Sequence, residues 1–197
     1  MNTPNKLTVF RMVMVPVFLA VLFIEAIPAR FLISALIFAG LSFTDMLDGK
    51  IARSRGLVTN FGKFLDPLAD KMLTTAAYLG FICMYADNYT YCWQITVITF
   101  IVLFREFMVS SIRLVTVSSG GKVVAANMWG KCKTVSQMLG IIFALFAYVL
   151  IDDFGIVSIQ GVCDIVISVL FWASAVLCII SGVIYLAASK EYIDPSK

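Results

Sequence analysis

The sequence predicts an all-α protein that crosses a membrane six times, with both termini on the cytoplasmic side. Of its 197 residues, 61% are hydrophobic and only 14% are charged, and the mean hydropathy of +0.96 is far above that of a soluble domain. The apolar residues form runs of about 20, the length at which a helix crosses a bilayer. No linker or repeat divides the chain, so residues 1–197 are expected to form one domain.

Six apolar runs account for the expected helices. In chain order they are Leu7–Ile27, Phe31–Leu47, Phe64–Tyr85, Trp93–Val117, Thr134–Ile151 and Val162–Ala188. The first run lacks a small-residue cleavage site and ends before Pro28, so we interpret it as a retained helix rather than a signal peptide. The second is short for a bilayer, and we expect it to continue through Asp45 and Asp48 into the aqueous boundary.

The basic residues orient these helices. Of fifteen Lys and Arg, only Arg30 falls in a loop on the side opposite both termini. By the positive-inside rule, the termini and the loops after the second and fourth helices are therefore cytoplasmic. Tyr85, Tyr89, Tyr91 and Trp93 are typical of an aromatic belt at the opposite interface.

The most specific pattern lies where the second and third runs meet. Asp45, Asp48, Asp66 and Asp70 stand in the spacing D-x2-D-G-x2-A-R-x8-G-x3-D-x3-D. Spacings of i, i+3 and i, i+4 put each pair on one face of its helix, so two antiparallel helices could bring four carboxylates together. Ionised carboxylates near the hydrocarbon of a membrane need partners of opposite charge. Mg²⁺ is a suitable partner, because it prefers oxygen ligands. The alternative is that these aspartates cap the ends of helices, but helix capping requires neither four acids nor this spacing.

A second group of charged residues lies in the fourth helix and at the start of the fifth. Arg105, Glu106 and Arg113 belong to REFMVSSIR, and Lys131 and Lys133 belong to WGKCKT. Arg113, Lys131 and Lys133 lie at the same end of neighbouring helices and are suited to bind a phosphate. Arg offers bidentate hydrogen-bond donors, and Lys offers a mobile positive charge. The alternative is that these side chains only extend to the membrane surface and set the orientation of the chain. Arg105 and Glu106 either have a functional role or form a structural ion pair that joins neighbouring helices.

The residues that are missing exclude several classes of protein. Histidine is absent, which excludes histidine proton relays, Ser-His-Asp hydrolysis and histidine nucleophiles, so a carboxylate or another residue must act as general base. The five cysteines have no zinc-like spacing. No basic-aromatic module for nucleic acid is visible, and no nucleic-acid partner is expected.

The aspartate motif resembles a known family. Its fixed residues, which include Gly49, Ala52, Arg53 and Gly62, match the CDP-alcohol phosphotransferases at every position. The segments NKLTVFR, FGKFLDPLADK, REFMVSSIR and WGKCKT most resemble the bacterial members that make phosphatidylglycerophosphate. The resemblance implies a homodimeric enzyme of the bacterial inner membrane, with its active site facing the cytoplasm. It would join CDP-diacylglycerol to sn-glycerol 3-phosphate and release CMP.

The resemblance also implies a role for each motif residue. Asp45, Asp48 and Asp66 match ligands of Mg²⁺ or Mn²⁺, with two ions expected, and Asp70 matches a proposed general base that also touches the second metal. The residues expected to line the CDP site are Asn5, Thr8, Gly49, Ala52, Arg53 and Gly62. On this interpretation Arg113, Lys131 and Lys133 anchor the acceptor phosphate, with Arg105 and Glu106 as candidates for support.

Two alternatives stay open. Within the family, the acceptor could be inositol phosphate or phosphatidylglycerol, because the charges alone specify only an anionic acceptor. From another class, acids in a small bundle could mark a divalent-cation transporter. A transport path would place polar groups through the whole bilayer depth, however, and the far half of these helices is almost purely apolar.

Overall fold

The described part of the chain folds mainly into long helices. A computed structural model describes the backbone of residues 3–54, 60–118 and 128–190, and the side chains of 5–45, 61–62, 65, 68–69, 71–116 and 128–190. Over these ranges there is no strand, which confirms the all-α class. The helices are α1 (Thr3–Phe23), α2 (Arg30–Ser54), α3 (Asn60–Met84), α4 (Tyr89–Ser118), α5 (Met128–Tyr148) and α6 (Gln160–Ala188).

Several of these helices suit a membrane. In the described part of the chain, four segments are long and apolar enough to cross a bilayer: Asn5–Phe23, Tyr89–Thr116, Met128–Asp153 and Val157–Ala188. A shorter apolar segment, Lys71–Met84, lies in α3. Large apolar side chains also cover the outside of the helices, as expected for a surface that faces lipid rather than water. The length and apolar composition of these helices are therefore consistent with a membrane protein. That the chain crosses the membrane six times stays a prediction.

Aromatic side chains hold the helices together. α1 packs against α2 and α3, α6 packs against α4 and α5, and α2 also contacts α5. The ring of Phe171 on α6 lies 5.1 Å from Tyr78 and 5.5 Å from Phe81 on α3. Phe18 on α1 lies 5.9 Å from Phe38 on α2. Such pairs combine a large buried area with favourable ring geometry.

The start of α2 is tied to the end of α5. A short π-helix, Val149–Asp153, follows α5, and Asp153 accepts a hydrogen bond of 2.9 Å from the backbone N–H of Leu32. This carboxylate satisfies one of the free N–H groups that every helix leaves in its first turn. Arg30 donates a 3.0 Å hydrogen bond to Asp152. The α1–α2 connection is thus anchored at the end of the bundle opposite the aspartate motif.

Gly140 lets α5 and α6 approach closely. A Cβ built there would lie 3.2 Å from Cδ1 of Phe171 and 3.7 Å from Cβ of Leu170. Small residues at such contacts allow membrane helices to pack. We expect Gly140→Leu to lower the free energy of unfolding by about 1–3 kcal/mol, because added volume in a packed interior shifts side chains and backbone.

Denaturant titration of the purified protein in detergent micelles would measure this change. The matched control is Gly40→Leu on α2, where no described heavy atom lies within 4 Å of an added Cβ. Both substitutions change helix propensity in the same direction, so an equal loss in the two variants would contradict the packing argument.

Candidate active site

One stripe of α1 is buried along its length, and its first part is polar. Asn5, Thr8 and Arg11 are spaced three residues apart and are no more than 6% exposed. Val15 and Phe18 continue the stripe as buried apolar residues, following the period of a helix. Because α1 packs against α2 and α3, this polar stripe faces the two helices that carry the aspartate motif.

Arg11 makes the contact that joins this stripe to the motif. Its Nη1 donates a hydrogen bond to Oδ1 of Asp45 on α2, and the side chains are 1% and 32% exposed respectively. A buried guanidinium needs a carboxylate partner, so the pair holds the first aspartate of the motif against α1. From the sequence, Arg11 is only one of the fifteen basic residues that set the orientation of the helices. Its spacing from Asn5 and Thr8, which puts a cation on the buried face, is the signal that would have identified it.

The remaining motif residues are placed by their backbone. Asp48, Gly49, Ala52 and Arg53 lie near the end of α2, and Asp66 and Asp70 lie in the first half of α3. The side chains of the five non-glycine residues among them are outside the part that the structure describes. The side chains that are described contain no cluster of three metal-ligating groups, and Asp45 is the one motif aspartate among them. Gly62 is buried near the start of α3. The convergence of the four carboxylates therefore stays a prediction.

A second cluster of charges centres on Glu106 of α4. Its Oε1 accepts hydrogen bonds from Lys133 Nζ on α5 and, at 3.1 Å, from Arg105 Nη1. Its Oε2 lies 3.7 Å from Lys71 Nζ on α3. The four side chains are between 7% and 26% exposed. Three cations share one carboxylate, so this group, which we call the Glu106 cluster, has a formal charge of +2.

Polar contacts from neighbouring helices hold two of the cations in place. Lys71 donates hydrogen bonds to the hydroxyl of Ser110 and, at 3.3 Å, to the backbone carbonyl of Glu106. Arg105 donates a 2.7 Å hydrogen bond to Ser181 on α6. The next residue, Gly182, leaves room for this arginine, since a Cβ there would lie 3.2 Å from its Cγ. The cluster thus joins α3, α4, α5 and α6.

The three predicted phosphate contacts lie in different environments. Lys133 is 6% exposed, whereas Arg113 and Lys131 are exposed. The structure brings Lys133 together with Arg105 and Glu106, which were predicted only as support. It adds Lys71, which sequence reasoning did not select although it directly follows Asp70 in the apolar third helix.

A separate polar group lies at the opposite ends of the helices. The hydroxyl of Tyr85, just beyond α3, donates a 2.5 Å hydrogen bond to Asp164 on α6. Gln94 on α4 accepts hydrogen bonds from Ser168 at 2.6 Å and Trp172 at 3.2 Å. These residues were not among the predicted site residues, and they lie at the far ends of α3, α4 and α6 from the aspartate motif.

Comparison with known proteins identifies relatives over almost the whole chain. The CDP-diacylglycerol–glycerol-3-phosphate 3-phosphatidyltransferase of Bacillus subtilis is 36% identical over 99% of this chain and 98% of its own length. The Rickettsia felis protein of that name is 37% identical, with 97% of each chain covered. A probable phosphatidylglycerophosphate synthase of Mycobacterium tuberculosis is 36% identical over 94% of this chain and 80% of its own length.

A solved structure supports the fold. The crystal structure of Mycobacterium tuberculosis phosphatidylinositol phosphate synthase with CDP-DAG bound superimposes with a TM-score of 0.64 and 20% identity, covering 98% of this chain and 90% of that one. Residues 1–187 match the family described as CDP-alcohol phosphatidyltransferase. With its aspartate motif carried on α2 and α3, its near full-length relatives and this family match, the chain belongs to the CDP-alcohol phosphatidyltransferases.

Proposed function

We propose that this protein transfers the phosphatidyl group of CDP-diacylglycerol to sn-glycerol 3-phosphate, forming phosphatidylglycerophosphate and CMP. The observation that carries the proposal is the Glu106 cluster. It holds an excess of two positive charges in a largely buried place, beside the helix that carries Asp70. A phosphate monoester, with a charge near −2 at neutral pH, would match that excess. The names of the relatives support the same acceptor.

The donor half of the site is assigned to the aspartate motif. Asp45, Asp48 and Asp66, together with Asp70, would hold two Mg²⁺ or Mn²⁺ ions, because carboxylate oxygens are the ligands these cations prefer. The part-exposed Asp45 carboxylate, held by Arg11, fits such a role. When bound, the ions would supply Lewis-acid stabilisation for the pyrophosphate and the departing CMP. The nucleotide would lie along Asn5, Thr8, Gly49, Ala52, Arg53 and Gly62.

The acceptor half is assigned to the cations. Lys133 would bind the phosphate of glycerol 3-phosphate inside the bundle, while Arg113 and Lys131, which are exposed, would attract the anion from water. Held by its phosphate, the acceptor places its free hydroxyl near the β-phosphorus. Asp70 takes the hydroxyl proton as the new P–O bond forms and the bond to CMP breaks. Positioning and electrostatics supply most of the rate in such transfers.

The membrane setting completes the proposal. All six helices would cross the bacterial inner membrane, with both termini and the active site on the cytoplasmic side, as the distribution of Lys and Arg predicts. A water-soluble acceptor and nucleotide would then reach the site from the cytosol. The acyl chains of the donor would stay in the bilayer, and two copies of the chain are expected to form a homodimer.

One assay tests the reaction directly. Purified protein in detergent micelles with CDP-diacylglycerol and Mg²⁺ should release CMP only when glycerol 3-phosphate is added, and the lipid product should carry a phosphate monoester. Release that instead requires inositol phosphate or phosphatidylglycerol would assign a different acceptor. Binding of divalent ions without any CMP release would revive the transporter alternative.

The acceptor cations give a second test. Replacing Lys133 with Gln removes a charge-assisted contact worth about 1.5–3 kcal/mol, so the KM for glycerol 3-phosphate should rise on the order of tenfold or more. Arg113→Gln and Lys131→Gln should shift the same KM, while the KM for CDP-diacylglycerol should change much less. The matched control is Lys190→Gln, at an exposed lysine that we assign to topology. Equal weakening toward both substrates would mean that the cations only hold the helices in place.

The orientation gives a third test. Cys132 is exposed near the start of α5, and Cys92 is partly exposed near the start of α4. In variants that keep one of these cysteines, a membrane-impermeant maleimide should label Cys92 in spheroplasts, and Cys132 only after the membrane is opened. Labelling of Cys132 in sealed spheroplasts would overturn the orientation and the access of a cytosolic substrate.

A further inference from the structure

The Glu106 carboxylate occupies the place where the acceptor phosphate is proposed to bind. Its Oε1 is shared by Lys133 and Arg105, and its Oε2 faces Lys71. A carboxylate surrounded by cations from three helices presents the same chemistry as a phosphate oxygen: a small anion that accepts charge-assisted hydrogen bonds. Glu106 and the acceptor phosphate therefore have the same donors available to them.

The cations differ in how strongly they depend on Glu106. Lys71 is also held by Ser110, and Arg105 is also held by Ser181. For Lys133, Glu106 is the partner found among the described side chains, and the lysine is only 7% exposed. A phosphate that binds Lys133 would compete with this carboxylate for the N–H donors of a largely buried ammonium.

The reaction itself creates a need for such a displacement. The phosphate of glycerol 3-phosphate is not consumed, so the lipid product carries the same phosphate monoester, with the same charge on that group, as the acceptor. Cations that bind the acceptor tightly would then hold the product just as tightly. Uniform binding of this kind lowers KM but does not raise kcat.

We propose that Glu106 is an internal competitor of the acceptor phosphate. It holds Lys133 between turnovers, gives up the lysine when the phosphate monoester binds, and takes it back as the phosphorylated product leaves. Glu106 is thus a positioning residue that acts through Lys133 and weakens phosphate binding in order to speed release. This inference rests on the proposed function, because it requires that the acceptor carry a phosphate monoester.

Glu106→Gln gives opposite results for a competitor and for a structural anchor. If Glu106 competes, the variant should bind glycerol 3-phosphate about tenfold more tightly, which is within the range of coupling energies measured between interacting sites in proteins. Its kcat should fall, inhibition by the lipid product should become stronger, and the KM for CDP-diacylglycerol should stay nearly constant. If Glu106 only fixes the cations in place, the KM for glycerol 3-phosphate should rise.

Two further variants serve as controls for Glu106→Gln. Glu106→Asp retains the charge but withdraws the carboxylate by one methylene group, so competition predicts a smaller decrease in KM, whereas a purely electrostatic effect predicts none. Asp87→Asn, at an exposed carboxylate near the end of α3, should leave both KM values unchanged. Isothermal titration of glycerol 3-phosphate into each protein, without donor lipid, would measure the affinity independently of turnover.

Each outcome decides the matter. Tighter acceptor binding with slower turnover in both Glu106 variants supports the competitor role. Weaker or unchanged binding overturns it, as does the loss of folded protein in both variants, since that would make Glu106 a structural anchor. Failure of the proposed function would look different: the unmodified protein would then form no phosphatidylglycerophosphate, whatever residue stands at position 106.

Discussion

Asp66→Asn is expected to lower turnover below detection, and Asp45→Asn and Asp48→Asn should do the same. Each change removes one of the three aspartates that are assigned chiefly to metal binding, so the remaining ligands cannot hold the two divalent ions in place. CMP release with saturating substrates and Mg²⁺ measures the effect, and addition of EDTA to the unmodified protein should reproduce it.

Asp87→Asn again serves as the control, because it removes an exposed carboxylate far from the motif. Near-normal rates in any two of the three motif variants would disprove the metal assignment. Arg11→Gln adds information about the first aspartate: it leaves Asp45 without its guanidinium partner, so activity should fall even though no predicted ligand is changed.

Asp70→Asn is expected to slow the chemical step while leaving the donor bound. Loss of a general base lowers a rate by roughly 10²–10⁴-fold, because the acceptor hydroxyl then has no group to take its proton. Binding of CDP-diacylglycerol, measured by calorimetry in detergent with Mg²⁺, should change little. If binding falls as steeply as the rate, Asp70 acts mainly as a metal ligand and the base is another residue.

The sequence predicts the helices well but places some of their ends wrongly. The expected first span starts at Leu7, whereas α1 starts at Thr3, because Asn5 belongs to the buried stripe of the helix. Likewise α5 starts at Met128 rather than Thr134, since the helical turn that contains Lys133 points this cation inward. Apolar runs therefore underestimate a helix wherever polar residues face other polar groups inside the bundle. The extension of the second helix beyond Asp48, to Ser54, is confirmed.

Contacts between distant charges could not be predicted in the same way. Arg11 and Asp45 are 34 residues apart, and Lys133 and Glu106 are 27 apart. Hydrophobic periodicity tells which face of a helix is buried, but it does not tell which two faces meet. The motif located Asp45, and the rule that ionisable residues within membrane helices serve function singled out Glu106. Their partners became visible only once the helices were packed.

The pairing of Arg11 with Asp45 also bears on how the chain enters the membrane. An Arg or Asp without a partner is costly inside a membrane helix, and Arg11 of α1 is buried against Asp45 of α2. We expect α1 and α2 to enter the membrane together as a hairpin, because each then supplies the counter-ion of the other. Truncation of the first eleven residues would remove this counter-ion and the buried Asn5 and Thr8 while sparing much of the apolar part of α1. We therefore expect membrane insertion and catalysis to depend on the same short amino-terminal stretch.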